Sequence, residues 1–521
     1  MRLFDLPGFP LRRLRRSLER PERAQIDLLR RLIRRSAGTA WGREHGYGEI
    51  HAHPDPISEY QRRVPLNDHA GLAPYVSRVC RGEPDVLWPG RTTIFAVSGG
   101  TESGGRAVPI SRDGMRFLRQ ASLAPGWSYL DRSGDAAGLL RGKVLSLPGG
   151  VSHGTFGPGS ITGEVSGLMT YHAPAGTRRW QALPRDVMFL EDWNRKLAES
   201  ARIAARCDVR AIIMVPSWAA AFLDRVRDEV GAPTVREAVR RAWPGLRAFF
   251  SGGVSLASYR EILRSYLGPD VVLLESYSAS EGFFAFQDAP ESDDLQLHLE
   301  SGVFYEFVPL EERGTPMPSR LTLGSVESGV DYVLHVSTAS GLWSCAIDDV
   351  VRFTCTRPPR LRVVGRAREV LDRFGEAMSR EHVASAIAAA DAACSARCLH
   401  FHVTYAAPLD PAAPRHHWIL EHESPPPDAA AYAGALDDAA ERHNGRYRKR
   451  RDPGAFGPPI VTLVPPGTTQ RYLEQERRRF GPQSKVGALS EERTVAGALL
   501  AVARALDEAA ILEVSPGPVP R

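Results

Sequence analysis

The period of the hydrophobic and polar positions changes several times along the chain. Between residues 11 and 35, Leu14, Leu18, Ile26, Leu29, Leu32 and Ile33 recur at helical spacing. Arginine clusters (Arg12, Arg13, Arg15, Arg16, Arg30, Arg31, Arg34, Arg35) fall largely on the opposite face. This predicts a surface helix whose apolar stripe packs on the core; a helix lying on a membrane or an RNA is the alternative such a pattern permits. From residue 90 onward, short β-branched runs alternate with helical stretches, and 92–97, 143–147, 210–215, 246–250, 271–275 and 332–336 read as strands. One helix opens at Thr234, where Glu237 three residues later completes a capping box. Strands separated by helices predict α/β layering. After Arg366 the texture changes to a helix near 382–390, strands at 399–405 and 418–423, and helices at 430–443 and 494–506. The expected architecture is therefore α/β: a large multi-layer N-terminal domain (1–367) with β-sheets flanked by helices, and a small mobile α+β C-terminal lid domain (368–521).

Composition narrows the classes. At 521 residues, with 43% apolar and 24% charged positions, the chain is neither disordered nor fibrous. Its formal charge of +5 is spread along the sequence, so a nucleic-acid partner is not expected. No apolar run reaches the roughly 18 residues that a membrane span needs. The six cysteines show no CxxC pair and read as buried thiols in a reducing compartment. With no secretory h-region near Met1, the expected location is cytoplasmic.

Chemistry gathers where strands end, as it does in open α/β sheets. After the first strand come Ser98-Gly99-Gly100-Thr101, then Glu102 to Arg106. Small hydroxyl residues among glycines let N–H and O–H groups converge on phosphate oxygens, although no Gly-Lys-Ser/Thr follows to make a Walker loop. Ser251-Gly252-Gly253 follows the 246–250 strand and admits a flat base close to the backbone. After 271–275 come Ser276-Tyr277-Ser278-Ala279-Ser280-Glu281-Gly282. There Tyr277 offers a ring for a purine and Glu281 a carboxylate oxygen for Mg²⁺. Asp349 is suited to gripping ribose hydroxyls, and Arg366 to reaching ribose or phosphate.

In this order the pieces resemble the Gretchen Hagen three family of acyl-acid amido synthetases, within the adenylate-forming superfamily of acyl-CoA synthetases, adenylation domains and luciferases. The likeness extends to Ala40-Trp41-Gly42-Arg43-Glu44-His45-Gly46, Val64-Pro65-Leu66, the stretch from Gly302 to Pro309, and Gln483-Ser484-Lys485. It implies that Ser98, Gly99, Gly100 and Thr101 hold ATP phosphates and that Ser251, Gly252, Gly253, Tyr277 and Ser280 line the adenylate. It further implies that Glu281 supports Mg²⁺, Asp349 binds the ribose, Arg366 contacts the nucleotide and Arg368 marks a hinge. Lys485 would reach the carboxylate and α-phosphate, so Lys485, Glu281 and Thr101 carry the catalysis. The implied function is an ATP- and Mg²⁺-dependent ligase, acting as a monomer, that joins a small carboxylic acid to an amine, an amino acid, through an acyl-adenylate. An acyl-CoA synthetase and a non-catalytic nucleotide- or acyl-acid-binding protein are the alternatives. The family's tyrosine-arginine-x-glycine-aspartate motif reads Cys345-Ala346-Ile347-Asp348-Asp349 here, the loop lysine is Arg106, and Ala377 follows Phe374-Gly375-Glu376.

Two motifs are set aside. Gly150-Val151-Ser152-His153-Gly154 matches a nucleophile elbow but lacks the strand-to-helix context. His400, His402, His416, His417 and His422 are close in sequence, yet alternation on a strand fits a polar face better than a zinc site.

Overall fold

The computed structural model describes residues 10–98, 106–253, 255–367, 369–374, 376, 378–408, 414–451, 456–480 and 486–516. The chain parts into two units. The first takes residues up to 98, 106–347 and 352–362; the second takes 348–351 and everything from 363 on.

The N-terminal amphipathic stretch forms two helices, Pro10–Glu19 and Pro21–Ser36. Proline at the first position of the second helix has no N–H to donate and pushes the preceding residue out of helical geometry. Arg20 accordingly sits at φ −139° and the helix breaks there. Leu14, Leu29, Leu32 and Ile33 of the expected stripe are buried, Leu18 and Ile26 are half-buried, and Leu28, outside the expected stripe, is buried as well. Gln25 stitches the second helix to the buried strand Val303–Pro309, donating to Val303 O and accepting from Tyr305 N.

The first unit is built on a ten-stranded sheet. Its parallel half runs Lys143–Ser146, Val209–Ile213, Ala248–Gly252, Val272–Ala279, each strand hydrogen-bonded to the next. Helices Pro216–Val230, Val235–Ala242 and Arg260–Leu267 make the crossovers that parallel strands require. Apolar residues such as Phe222, Trp243, Phe249 and Leu273 fill the space between these helices and the sheet. Thr234 caps its helix by accepting from Glu237 N–H at 3.2 Å, whereas the Glu237 carboxylate pairs forward with Arg241. Beyond Ala279 the sheet turns antiparallel through Gly282–Phe286 and Leu295–Leu297 and continues to Val303–Pro309 at its far edge.

A separate four-stranded sheet pairs Ile94–Ser98 with Arg106–Ile110 antiparallel and with Ile161–Gly163 parallel, and adds Val151–His153. Ser152 therefore lies inside a hairpin strand, and the serine-elbow motif has no elbow.

Arg320 and Glu306 form a buried ion pair at 2.8 Å. Arg320 also donates to Gln61 O and Val64 O, and Gln61 donates to Glu306. This network holds the Val64-Pro65 turn, because a charge taken out of water needs its remaining donors satisfied.

In the second unit, Cys398–Tyr405, His416–His422, Ile460–Val464 and Leu512–Val514 form a four-stranded sheet. Helices Arg380–Cys394 and Ala429–His443 are packed together beside it. Trp418, Leu436, Tyr447 and Phe456, all inaccessible to solvent, centre its core. Of the six cysteines only Cys345 is fully buried; the others are half-buried and all are free thiols, which corrects the expectation that all would be buried.

Candidate active site

Two neighbouring parallel strands bring most of the first unit's candidate groups together. Ala248–Gly252 and Val272–Ala279 run in register, Ser251 opposite Glu275 and Gly252 opposite Ser276. Ser251 and Gly252 thus belong to the strand, and the turn begins at Gly253, whose φ of +80° glycine adopts without strain. The Ser251 hydroxyl is buried and has no hydrogen-bond partner among the described residues. A buried, unpaired hydroxyl is uncommon and calls for an explanation.

The second motif is a hairpin rather than a loop. Val272–Ala279 carries Tyr277 within the strand, and Ser280-Glu281 alone make the turn into Gly282–Phe286. The register shifts between Tyr277 and Ser278, so Phe284 is an extra residue on the returning strand. Such a bulge re-aims side chains and is found beside active sites. The Tyr277 ring is largely buried and lies 5.1 Å from the Phe284 ring. At Gly282 a Cβ would meet the Phe284 ring at 2.9 Å, so a larger residue there would force that ring to shift.

Glu281 is nearly buried, and its Oε1 lies 2.8 Å from His69 Nε2. His69 opens the helix His69–Cys80, which Asp68 caps by accepting from Gly71 N–H. Sequence reading missed His69, because nothing local to it announces a partner two hundred residues away. Glu275 was also missed, although a glutamate ending the apolar run Val271-Val272-Leu273-Leu274 is a visible signal. Burial pushes its carboxyl up to about 7, opposed by the Leu256 N–H and by Arg260. Its backbone N–H donates to Gln287 Oε1.

Ser98 ends its strand opposite Arg106, so residues 99–105 connect the two strands of a hairpin. Gly99, Gly100 and Thr101 lie outside the described residues, as do Arg368, Ala377 and Lys485.

In the second unit, Arg366 Nε lies 3.8 Å from Asp349 Oδ1; the arginine is exposed and the aspartate nearly buried. Asp348 occupies the position where the resembled motif has glycine, and its φ is +61°. Aspartate tolerates this left-handed conformation better than most residues, which explains how the replacement is accommodated. Glu376 is fully buried. Burial pushes its carboxyl up, but His416 and the Tyr405 hydroxyl outweigh that and hold it below the usual carboxylate range. The histidines gathered here form no metal-binding group among the described residues. His402 Nδ1 lies 2.7 Å from Gly487 O and His417 Nε2 2.7 Å from Thr462 Oγ1, both rings held neutral by burial.

The GH3 family N-terminal, central and C-terminal domain models match residues 10–204, 296–366 and 381–494. The indole-3-acetic acid-amido synthetase GH3.8 of Oryza sativa subsp. indica is 26% identical over 497 residues, covering 80% of both chains. The probable indole-3-acetic acid-amido synthetase GH3.2 of Oryza sativa subsp. japonica is 22% identical, covering 86% of this chain and 85% of its own. Among solved structures, AtGH3.15 acyl acid amido synthetase in complex with 2,4-DB superposes with a TM-score of 0.78 at 18% identity, covering each chain completely. A 2-hydroxyisobutyryl-CoA ligase holding an acyl-adenylate superposes at 0.57 with 14% identity, covering 94% of this chain and 92% of its own. The family models and the amido-synthetase relatives mark the chain as a ligase, and its fold is that of adenylate-forming enzymes. Within that class, the chain belongs to the GH3 family.

Proposed function

We propose that the chain uses ATP and Mg²⁺ to activate a small carboxylic acid as its acyl-adenylate and then transfers the acyl group to an amine, an amino acid. The supporting observation is the set of polar groups, Ser251, Tyr277, Ser280 and the Glu281–His69 pair, presented where two adjacent parallel strands end. Ligands of open α/β sheets bind at such ends.

The acid is already ionised at neutral pH, so the first step needs no base. Its oxygen attacks the α-phosphorus, a P–O bond forms, and pyrophosphate leaves with the electrons of the broken anhydride bond. The difficulty is joining two anions, and preorganised electrostatics meets it. In this reading Tyr277 lies against the purine, Ser251 and the backbone at Gly252 and Gly253 border it, and Asp349 and Arg366 grip the ribose and its neighbourhood. Ser280 lines the adenylate beside Tyr277; Ser98, Gly99, Gly100 and Thr101 donate to phosphate oxygens, and Lys485 offsets the charge at the α-phosphate. Mg²⁺ usually takes one or two carboxylates plus substrate phosphates, and a single carboxylate held in place by His69 fits that donor set. When bound, the ion would neutralise phosphate charge. The amine nitrogen then attacks the acyl carbon, AMP departs, and the amine loses a proton.

The domain boundary we assign lies at 367/368, and we take the enzyme to act as a monomer in the cytoplasm. The test is ATP–pyrophosphate exchange with a panel of acids and no amine, followed by product mass after adding amino acids or coenzyme A. Exchange with no acid, or thioester in place of amide, overturns the reading. Lys485→Ala should abolish exchange while ATP affinity by calorimetry stays nearly intact; equal loss of both argues against its assigned role.

A further inference from the structure

The arginines of the second helix, set aside above as a solvated face, border a cavity. Arg31, Arg34 and Arg35, spaced three and four residues apart, share one side of the helix Pro21–Ser36. With Arg116 of the helix Arg112–Ala121, they line an open cavity of about 470 Å³. Its apolar lining includes Leu32 and Trp88, each at most 5% exposed. One carboxylate, Asp113, faces the four guanidiniums. That carboxylate already accepts from the Trp88 indole N–H at 3.2 Å and lies 3.6 Å from Arg35 Nε. Arg31 and Arg34 are exposed and make no ion pair or hydrogen bond among the described residues. A surface helix gains nothing in stability from like charges one turn apart, whereas guanidiniums converging beside apolar surface suit an anion with an apolar body.

We propose that this cavity binds a small organic anion carrying two or more negative charges on a compact apolar body. It is a site additional to the strand ends that the proposed function uses. The volume lies in the range of small-molecule pockets. Charge excess sets the anion requirement, and the part-exposed Phe117 ring in the lining sets the requirement for a body; neither alone accounts for both features. The cavity shares Phe117 and Ala339 with the narrow crevice beside Ser280 and Glu281, so an occupant would neighbour the reacting groups.

Calorimetry on the full chain tests this with benzene-1,3,5-tricarboxylate, inorganic pyrophosphate and benzoate. The tricarboxylate is expected to bind most tightly, benzoate at least tenfold more weakly, and the tricarboxylate affinity to fall as salt rises. Arg31→Gln combined with Arg34→Gln should weaken the tricarboxylate at least tenfold without changing the melting temperature. Arg16→Gln combined with Arg23→Gln removes the same charge away from the cavity and should leave binding intact. Absence of tricarboxylate binding, equal loss in both double variants, or retention in the first overturns the site. Pyrophosphate binding as tightly as the tricarboxylate overturns the apolar half of the proposal. Because binding is read without turnover, failure here is distinct from failure of the ligase reading, which the exchange assay decides.

Discussion

The strand ends of the first unit and the polar core of the second bury similar side chains to opposite effect. In the second unit Glu376 takes Tyr405, His416 and the Phe374 N–H as partners, and Tyr447 and Arg451 both bond Asp437. Those carboxylates are answered by neighbouring side chains, although His416 Nδ1, the Trp418 indole N–H and both His422 ring nitrogens are buried without a hydrogen-bond partner among the described residues. At the strand ends Ser251 keeps a buried hydroxyl without a partner, and Glu275 carries a carboxyl that its surroundings resist ionising. Polar groups left short of partners weaken a fold, and here the two lie on directly paired residues of adjacent strands. The difference lies in the carboxylates: His416 and Tyr405 hold Glu376 below the usual range, whereas burial pushes Glu275 above it.

The largest expected effect falls on the packed side. Trp418→Ala should cost about 3–5 kcal/mol in chemical denaturation, because the emptied site is walled by rigid neighbours. A loss under ~1 kcal/mol would mean that the second unit is not the tightly packed one.

Glu281→Ala comes next, with pyrophosphate exchange falling ~10²–10³-fold. Exchange within twofold of the parent would leave the Glu281–His69 pair as a structural tie.

pH separates the regions in sign. The Glu275 carboxyl, raised from 4.5 to about 7 by burial, stabilises the fold below pH 4.5, and that stability is lost as pH rises through 7. Glu275→Gln should therefore gain up to about 3 kcal/mol over the parent at pH 8 and nothing at pH 4.5, read from denaturation midpoints. His417, lowered from 6.5 to about 4 by burial and by Arg493, contributes stability that is present above pH 6.5 and is lost as pH falls toward 4. Hydrogen exchange along His416–His422, corrected for intrinsic rates, should open over that window.

Ser251→Ala is the smallest and sharpest test. Removing a hydroxyl that bonds nothing should change stability by less than about 0.5 kcal/mol, while nucleotide affinity drops severalfold. Destabilisation with unchanged affinity would reverse the contrast between the two regions.

Much of this was legible in the chain. Five of the six expected strands lie within two residues of those observed and the sixth, 271–275, stops four residues short of Ala279, since β-branched runs bounded by turns report strands directly. The second unit's edge strand Cys398–Tyr405, its neighbour His416–His422 and three of its helices were read in the same way. Gly282–Phe286 was not, because a strand buried along its whole length shows no alternation. The break at Pro21 was visible and was overridden by the continuity of the leucine stripe. At the site, residue types and order made Ser251, Tyr277 and Glu281 candidates, but His69 depends on a tertiary approach that no local pattern carries.

The two-residue turn at Ser280-Glu281 constrains how this protein can diverge. Its flanking strands are hydrogen-bonded up to Ala279 and Gly282, and the bulge at Phe284 already absorbs the one irregularity in their pairing. A single insertion or deletion would slide one strand past the other and send alternate side chains to the wrong face. Substitution can therefore retune this corner of the molecule letter by letter, but its spacing is closed to drift.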